Sequence, residues 1–365
     1  MPGETVSSAL LSGTQPRLKQ ITVVGLHLSY IAAGFFLFVL ALELLKAGAG
    51  GVKSVLDGVS ADGPLNLLGL GWLGAYGVMS GSPVAAIALS LFAKGTISDS
   101  EAFAMINGSR LGASFIVLFV GFILYVTRKR SADGLYIGVV ALLTAFTLWL
   151  PALPLGLFLL NSGWLNGVEV STPEGLISLI DLAYGPMTDG ARGRLHELLI
   201  FMLGVASLLG AFTIFDRGLP NLEQPSLKVE RIKEALHRPM AMFLLGLAIT
   251  AMTLSVSLSV TLLIPLSLKG YIKRESIIPY LMGANISTWV DTLVAALLLD
   301  SPRAFTIVFT EMTMGAVVSL VVLLFFYRPY SRCILALAHR VSQNQRDFAF
   351  FLFAVFLAPG LLFLV

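Results

Sequence analysis

Apolar runs too long for a soluble core helix succeed one another along almost the whole chain. Stretches at 21–45, 101–127, 135–161, 197–215, 276–299 and 304–327 can each cross about 30 Å of hydrocarbon, and 348–365 is barely long enough. In hydrocarbon no water satisfies backbone amide and carbonyl groups, so such runs must fold as helices. Only 12% of the residues are charged, against about 25% in ordinary soluble domains. An all-α, polytopic membrane protein embedded in a lipid bilayer, in a plasma or inner membrane, is expected. Residues 1–20 read as a polar N-terminal tail, and the first apolar run is too long for a cleavable signal peptide. The single cysteine, Cys333, excludes an intramolecular disulfide and any cysteine metal cluster. A net charge of +3 gives no reason to expect a nucleic-acid partner, and oligomeric state is not legible.

Two further apolar stretches, 65–93 and 240–268, contain hydroxylic interruptions, and they are copies of one pattern. Laid without gaps, Pro64 to Ser114 covers Pro239 to Trp289 at an offset of 175 residues. Ser80 then meets Ser255, Ser82 meets Ser257, and Lys94-Gly95 meets Lys269-Gly270. GSRLGAS, from Gly108 to Ser114, meets GANISTW, from Gly283 to Trp289, and in both copies this second break starts 28 residues after the first serine. Duplicated, interrupted hydrophobic segments mark transporters whose site lies where two halves meet.

Charge placement sets the expected topology, because cytoplasmic loops collect Lys and Arg. With a cytoplasmic N-terminus and both serine stretches folded as re-entrant hairpins, Arg17, Lys19, Arg128 to Arg130, the basic residues from Arg217 to Arg238, Lys269 to Arg274 and Arg328 to Arg346 share the inner side. Lys46, Lys53, Lys94, Arg192, Arg194 and Arg303 fall outside. One hairpin then opens outward and the other inward. The expected fold is two inverted repeats, each a re-entrant helical hairpin followed by a broken transmembrane helix. Repeat 1 spans 21–134 and repeat 2 spans 238–327, with connecting helices over 135–237. Gly48 to Gly63 and 161–197 read as outer loops, the latter with a short helix near Leu176 to Ala183. The inner linker is 216–238, with a helical stretch from Leu227 to Leu236, and 328–365 holds a basic amphipathic segment held by anionic lipid and the last apolar run.

The hairpin tips are the expected site, since non-helical backbone survives in a bilayer only beside protein or a wet cavity. At the first, Met79-Ser80-Gly81-Ser82-Pro83, the proline suits the first turn of a new helix whose amide end would face an anion. The second, Leu254-Ser255-Val256-Ser257, lacks proline and glycine, and an unbroken helix with serines bonded to the preceding turn is the alternative. Ser109-Arg110 and Asn285, Ser287 and Thr288 of the second breaks complete the expected substrate site. A guanidinium buried among apolar residues is expensive and by default functional, and its planar fork suits phosphate or carboxylate oxygens. A structural ion pair of Arg110 with Asp291 or Glu43 is the competing role. Coupling-ion chemistry falls to Asp291, Glu311 and Glu43 with Ser80, Ser255 and Asn285. His27 is more simply a structural histidine.

These residues resemble the sodium/phosphate cotransporter family, the bacterial and type II vertebrate group. Its two inverted repeats each carry a QSSSAT-like hairpin followed by GANIGTT at the same spacing. SIIPYLMGANISTW is the nearest match, MSGSPV and GSRLGAS are degenerate, and FFLFVLALELLKAGAGG resembles the family's opening span with Glu43 at its acidic position. The resemblance covers about 20–130 and 238–340. It implies sodium-coupled phosphate movement, with Ser80, Ser82, Ser255 and Ser257 at hairpin-serine positions and Asn285 and Thr288 at GANIGTT positions. The family's hairpin glutamine is Met79 in one copy and Leu254 in the other, its first asparagine is Arg110, and its second glycine in the second motif is Ser287. Proton coupling, or another oxyanion fixed by Arg110, therefore stays open.

A secondary active transporter of inorganic phosphate or a similar small oxyanion, sodium-coupled and without a resident cofactor, is the expected function. A passive anion channel or exporter would share every residue named. An intramembrane lipid-phosphate enzyme would need a nucleophile beside a base, and no Ser-Arg-Ser cluster with neighbouring Glu or His is present, so no enzymatic activity is expected.

Overall fold

The computed structural model describes residues 5–59, 61–127, 132–165, 167–218, 238–254, 256–261 and 272–364. Among them all regular structure is helical. Seven helices are long and apolar enough to cross a membrane: this is an α-helical, multi-pass membrane protein. Outward-facing apolar side chains such as Phe158, Phe325, Phe353 and Leu361 are what a lipid-facing surface requires.

The first half consists of α1 (Thr5–Gly58), α2 (Pro64–Val78), α3 (Ser82–Ala93), α4 (Asp99–Thr127) and α5 (Ala132–Asn161). After α6 (Glu174–Arg192) come α7 (Glu197–Gly218), α8 (Pro239–Thr253), α9 (Val256–Thr261), α10 (Arg274–Ser287), α11 (Trp289–Leu298) and α12 (Pro302–Val321). A π-helical turn, Val322–Phe326, leads into α13 (Tyr327–Gln343), and α14 (Gln345–Leu364) closes the chain.

The duplication reappears as equivalent contacts. In the first half α2 lies on α4 so closely that a Cβ added at Gly71 would stand 2.0 Å from the Met105 carbonyl oxygen, and one at Gly108 would stand 2.1 Å from that of Leu68. In the second half α8 lies on α10, with Gly246 meeting the Tyr280 carbonyl at 2.1 Å and Gly283 meeting that of Phe243 at 2.0 Å. Each second-half contact repeats a first-half contact at the 175-residue offset. Glycine here lets backbones touch, the use small residues commonly serve between membrane helices.

Hairpin geometry follows from these contacts. Because α2 and α4 run parallel, α3, which links them in the chain, must run the opposite way. The tip at Gly81 sits against the Ser109 carbonyl and Ala113 of α4, about 15–20 Å from the start of that helix at 1.5 Å per residue. The chain thus turns back partway along α4.

Elsewhere neighbours run antiparallel. α1 and α7 pair along their length, Gly34 against Phe215, Gly204 against Leu45 and Gly51 against Leu198. α4 and α5 do the same, with Gly138 on Leu118 and Gly156 on Phe103. α14 descends along α2, held by Asn66 Nδ2 donating to the Phe363 carbonyl (3.1 Å) and Tyr76 Oη to that of Val355 (3.0 Å). α4 and α12 run parallel: Arg303 pairs with Asp99 at their first turns (3.0 Å), and Asn107 meets Glu311 eight residues further along each.

Several expectations from the sequence are corrected. Residues 5–20, expected as a tail, continue the helix of α1. Gly48 to Gly58 is helix rather than loop, with Gly48 and Gly51 packing their backbone against Glu197, Leu198 and Phe201 of α7. The helix in 161–197 is longer than expected. α4 is not broken at Gly108 to Ser114: Ser109 and Ser114 return their hydroxyls to carbonyls three residues back, at 2.7 and 2.6 Å, and the glycines serve packing. The corresponding break in the second half is real but small, one turn residue, Thr288, between α10 and α11. Arg128 to Arg130, the helical stretch expected at 227–236, and Lys269 lie outside the described residues. α13 is strongly amphipathic, burying Ser331, Ile334, Ala338 and Val341 and leaving Arg328, Arg332, Cys333 and Arg340 exposed.

Candidate functional site

At the first tip α2 stops because Pro83 lacks an amide hydrogen and its ring excludes the carbonyl one turn back. Met79 takes up the left-handed conformation (φ 54°), and α3 restarts at Ser82 with Pro83 in its first turn. The second tip has neither proline nor glycine, yet α8 also stops, and Leu254 is left-handed (φ 49°) with its amide on the Thr250 carbonyl at 2.7 Å. Met79 and Leu254 are again 175 apart. Here hydroxyls draw the arms together: Thr250 donates to Ser259 (2.6 Å), Ser259 meets the Tyr280 hydroxyl (2.6 Å), and Tyr280 donates to the Ser259 carbonyl (3.0 Å). Ser255 lies outside the described residues, as does the side chain of Ser257.

Both tips open on one cavity of about 420 Å³, toward the lower end of the range for small-molecule sites. Its wall includes Met79, Ser80, Gly81, Ser82 and Pro83 from the first tip and Leu254 and Val256 from the second. α4 contributes Arg110 and Ser114, the end of α10 contributes Asn285 and Thr288, and α7 closes one side with Leu209, Phe212 and Thr213. α3 begins at this wall, at Ser82, and a helix N-terminus carries partial positive charge.

Arg110, 6% exposed, is held in a fixed pose. Nη1 donates to Thr288 Oγ1 (3.2 Å), Nη2 donates to Thr292 Oγ1 (2.9 Å), and the guanidinium carbon sits 4.0 Å from the Trp289 ring centroid. Thr292 passes its own proton to Asp291 Oδ1 at 2.9 Å. The arginine therefore reaches Asp291 through a threonine and not through a direct pair. Nε of Arg110 and Oδ2 of Asp291 are buried without hydrogen-bond partners among the described residues, and the Ser82 hydroxyl lies beside the same carboxylate. Glu311 lies near enough to Arg110 to feel its charge.

Of the residues expected from sequence, the cavity gathers Ser80, Gly81, Ser82, Arg110, Asn285 and Thr288. Asp291 stands two hydrogen bonds behind Arg110, through Thr292. Ser109 and Ser287 are buried and spend their hydroxyls on the Ile106 and Ala284 carbonyls, so they do not line it. Glu43 is not at the site either. It pairs with Lys46 at 2.6 Å and lines a separate cleft with Lys94, Asp181 and Arg192. Three participants were missed: Asn107, Trp289 and Thr292. Asn107 had a legible signal, an amide one helical turn before a buried arginine. The lining from α7 left none. Among the described residues no group of three or more His, Cys, Asp or Glu is placed to hold a metal ion.

Comparison with protein-family models, with curated proteins and with solved structures returns no match.

Proposed function

We propose that this protein is a secondary active transporter of a small oxyanion, inorganic phosphate or one of similar shape, driven by a coupled cation. The observation that carries the reading is that the two left-handed breaks, Met79 and Leu254, 175 residues apart, open on one cavity beside a buried, pre-positioned Arg110. Arginine, the α3 amide end and tip hydroxyls make a seat for a tetrahedral oxyanion.

An inverted relation of the halves is supported by chain direction. α12 follows α11 through three residues and packs back on it, while α12 runs parallel to α4. The repeat-equivalent α4 and α10–α11 therefore point opposite ways, as do α1 and α7. In such a fold each hairpin gates the shared site from its own side, with the site near the bilayer midplane. The sequence resemblance to sodium/phosphate cotransporters agrees with this reading in substrate class.

The test is phosphate uptake into proteoliposomes with sodium and proton gradients imposed separately. Arg110→Ala is expected to abolish uptake while leaving the protein folded in detergent. Unchanged uptake in that variant would remove Arg110 from the substrate site.

A further inference from the structure

About one turn before Arg110 on α4, and outside the cavity lining, α4 and α12 enclose an acid–amide pair with no exposure at all: Asn107 and Glu311 are each 0% accessible. Asn107 Nδ2 donates to Glu311 Oε2 (3.3 Å) and to the Trp149 carbonyl (3.3 Å). The other oxygen of each group, Glu311 Oε1 and Asn107 Oδ1, has no hydrogen-bond partner among the described residues. Leaving a buried acceptor unsatisfied is costly, and an ionised carboxylate with one neutral donor in a membrane interior is costlier still. One proton removes all three penalties. Placed on Oε1 it neutralises the carboxylate, and donated to Asn107 Oδ1 it closes the second edge of a cyclic acid–amide pair whose first edge is already formed.

We propose that the Glu311–Asn107 pair is a proton-binding site and that its proton is the ion driving transport. The second half of this inference rests on reading the cavity as an oxyanion site. The charged groups around Glu311 give the linkage. Arg110 of α4 faces it, and Asp291 of α11 bears on that arginine through Thr292. α5 presents the neutral Trp149 carbonyl, α3 has no charged residue, and of the titratable groups of α10, Arg274 and Glu275 lie in its first turn while Tyr280 is bonded to Ser259. An oxyanion on Arg110 offsets the positive charge that acts on Glu311, so the carboxyl holds its proton more tightly. When the anion leaves, the bare guanidinium favours the carboxylate, and the proton passes to water on the exit side. Binding of the two is reciprocal by linkage, and a site that changes sides only when both or neither are bound then carries them one for one.

Two measurements test this on the full chain. Infrared spectroscopy of the wild-type protein at neutral pH in saturating phosphate should show a carboxylic-acid C=O band that is lost in Glu311→Gln and kept in Asp291→Asn. If Glu311→Gln does not fold, Asn107→Leu should shift the band toward that of an unpaired acid. Absence of such a band in the wild type would overturn the proton site. In proteoliposomes one unit of pH gradient should drive about tenfold phosphate accumulation in the wild type. Glu311→Gln should give none, while phosphate exchange continues at a rate that no longer depends on pH. Undiminished accumulation in that variant, or accumulation driven by sodium alone in the wild type, would overturn the coupling role. The band present without phosphate flux under any gradient would instead sink the oxyanion reading and the coupling with it, and leave the proton site standing.

Discussion

Replacing Gly108 or Gly283 by alanine is the sharpest test of the duplicated packing. The added Cβ would stand 2.1 Å from the Leu68 carbonyl oxygen in the first half and 2.0 Å from that of Phe243 in the second, where real Cβ atoms essentially never come within 3.0 Å. Both obstacles are helix backbone, so no side chain can swing aside, and the helix pair must separate by about 1 Å over its tightest stretch. Overpacking of this kind costs about 1–3 kcal/mol, and a rigid obstacle puts these sites near the upper end. Each variant should therefore lose about 2–3 kcal/mol in denaturant or thermal unfolding followed in detergent. The double variant should lose about the sum, because the sites share no contact. Gly77→Ala serves as the control, since nothing lies within 4 Å of its new methyl, and a helical glycine-to-alanine change there should be neutral or gain up to about 1 kcal/mol. If Gly108→Ala and Gly283→Ala unfold like the wild type, the close backbone approach does not exist. If only one is destabilised, the two halves are not packed alike.

Other outcomes follow from single contacts. Met79→Gly and Leu254→Gly should each stabilise the protein by about 1 kcal/mol, because a left-handed backbone strains any residue with a Cβ. Valine at either position should lower the unfolding midpoint, and the reverse order would refute the left-handed breaks. Thr292→Val keeps the shape but strands Arg110 Nη2 and Asp291 Oδ1. A loss of about 1–3 kcal/mol is expected, restored in Thr292→Ser, with unfolding in detergent as the readout. Glu43→Gln should leave phosphate uptake within about twofold of wild type and stability within about 1 kcal/mol, since its partner is Lys46 in a separate cleft. A transport-dead Glu43→Gln would return that residue to the site.

Composition and apolar run length carried the fold class, and the 175-residue overlay located both tips. The overlay succeeded because Pro83 is a local instruction to stop a helix. It was weaker at Leu254, where the break depends on Thr250, Ser259 and Tyr280 meeting in space, a tertiary cause that no local pattern expresses. The glycines misled for a related reason. Gly48, Gly51, Gly108 and Gly112 were read as loop or unwinding signals, whereas each sits in helix where a neighbouring backbone presses close. In water glycine weakens a helix, but in a membrane the backbone must stay bonded whatever the propensity. Arg110 was legible because a charge among apolar residues stands out. Its partners Thr288, Trp289 and Thr292 were not, since threonine and tryptophan are ordinary in such segments and only the crossing of α4 with α11 selects them.

Cys333 has a practical consequence. It is the chain's one thiol, and it is exposed on the arginine-bearing outer face of α13. The natural sequence therefore comes with a built-in handle for a membrane-impermeant maleimide. Reaction in intact right-side-out vesicles as against inverted ones would report the sidedness of this helix with no residue changed, and a fluorophore placed there would watch the bundle from a fixed point.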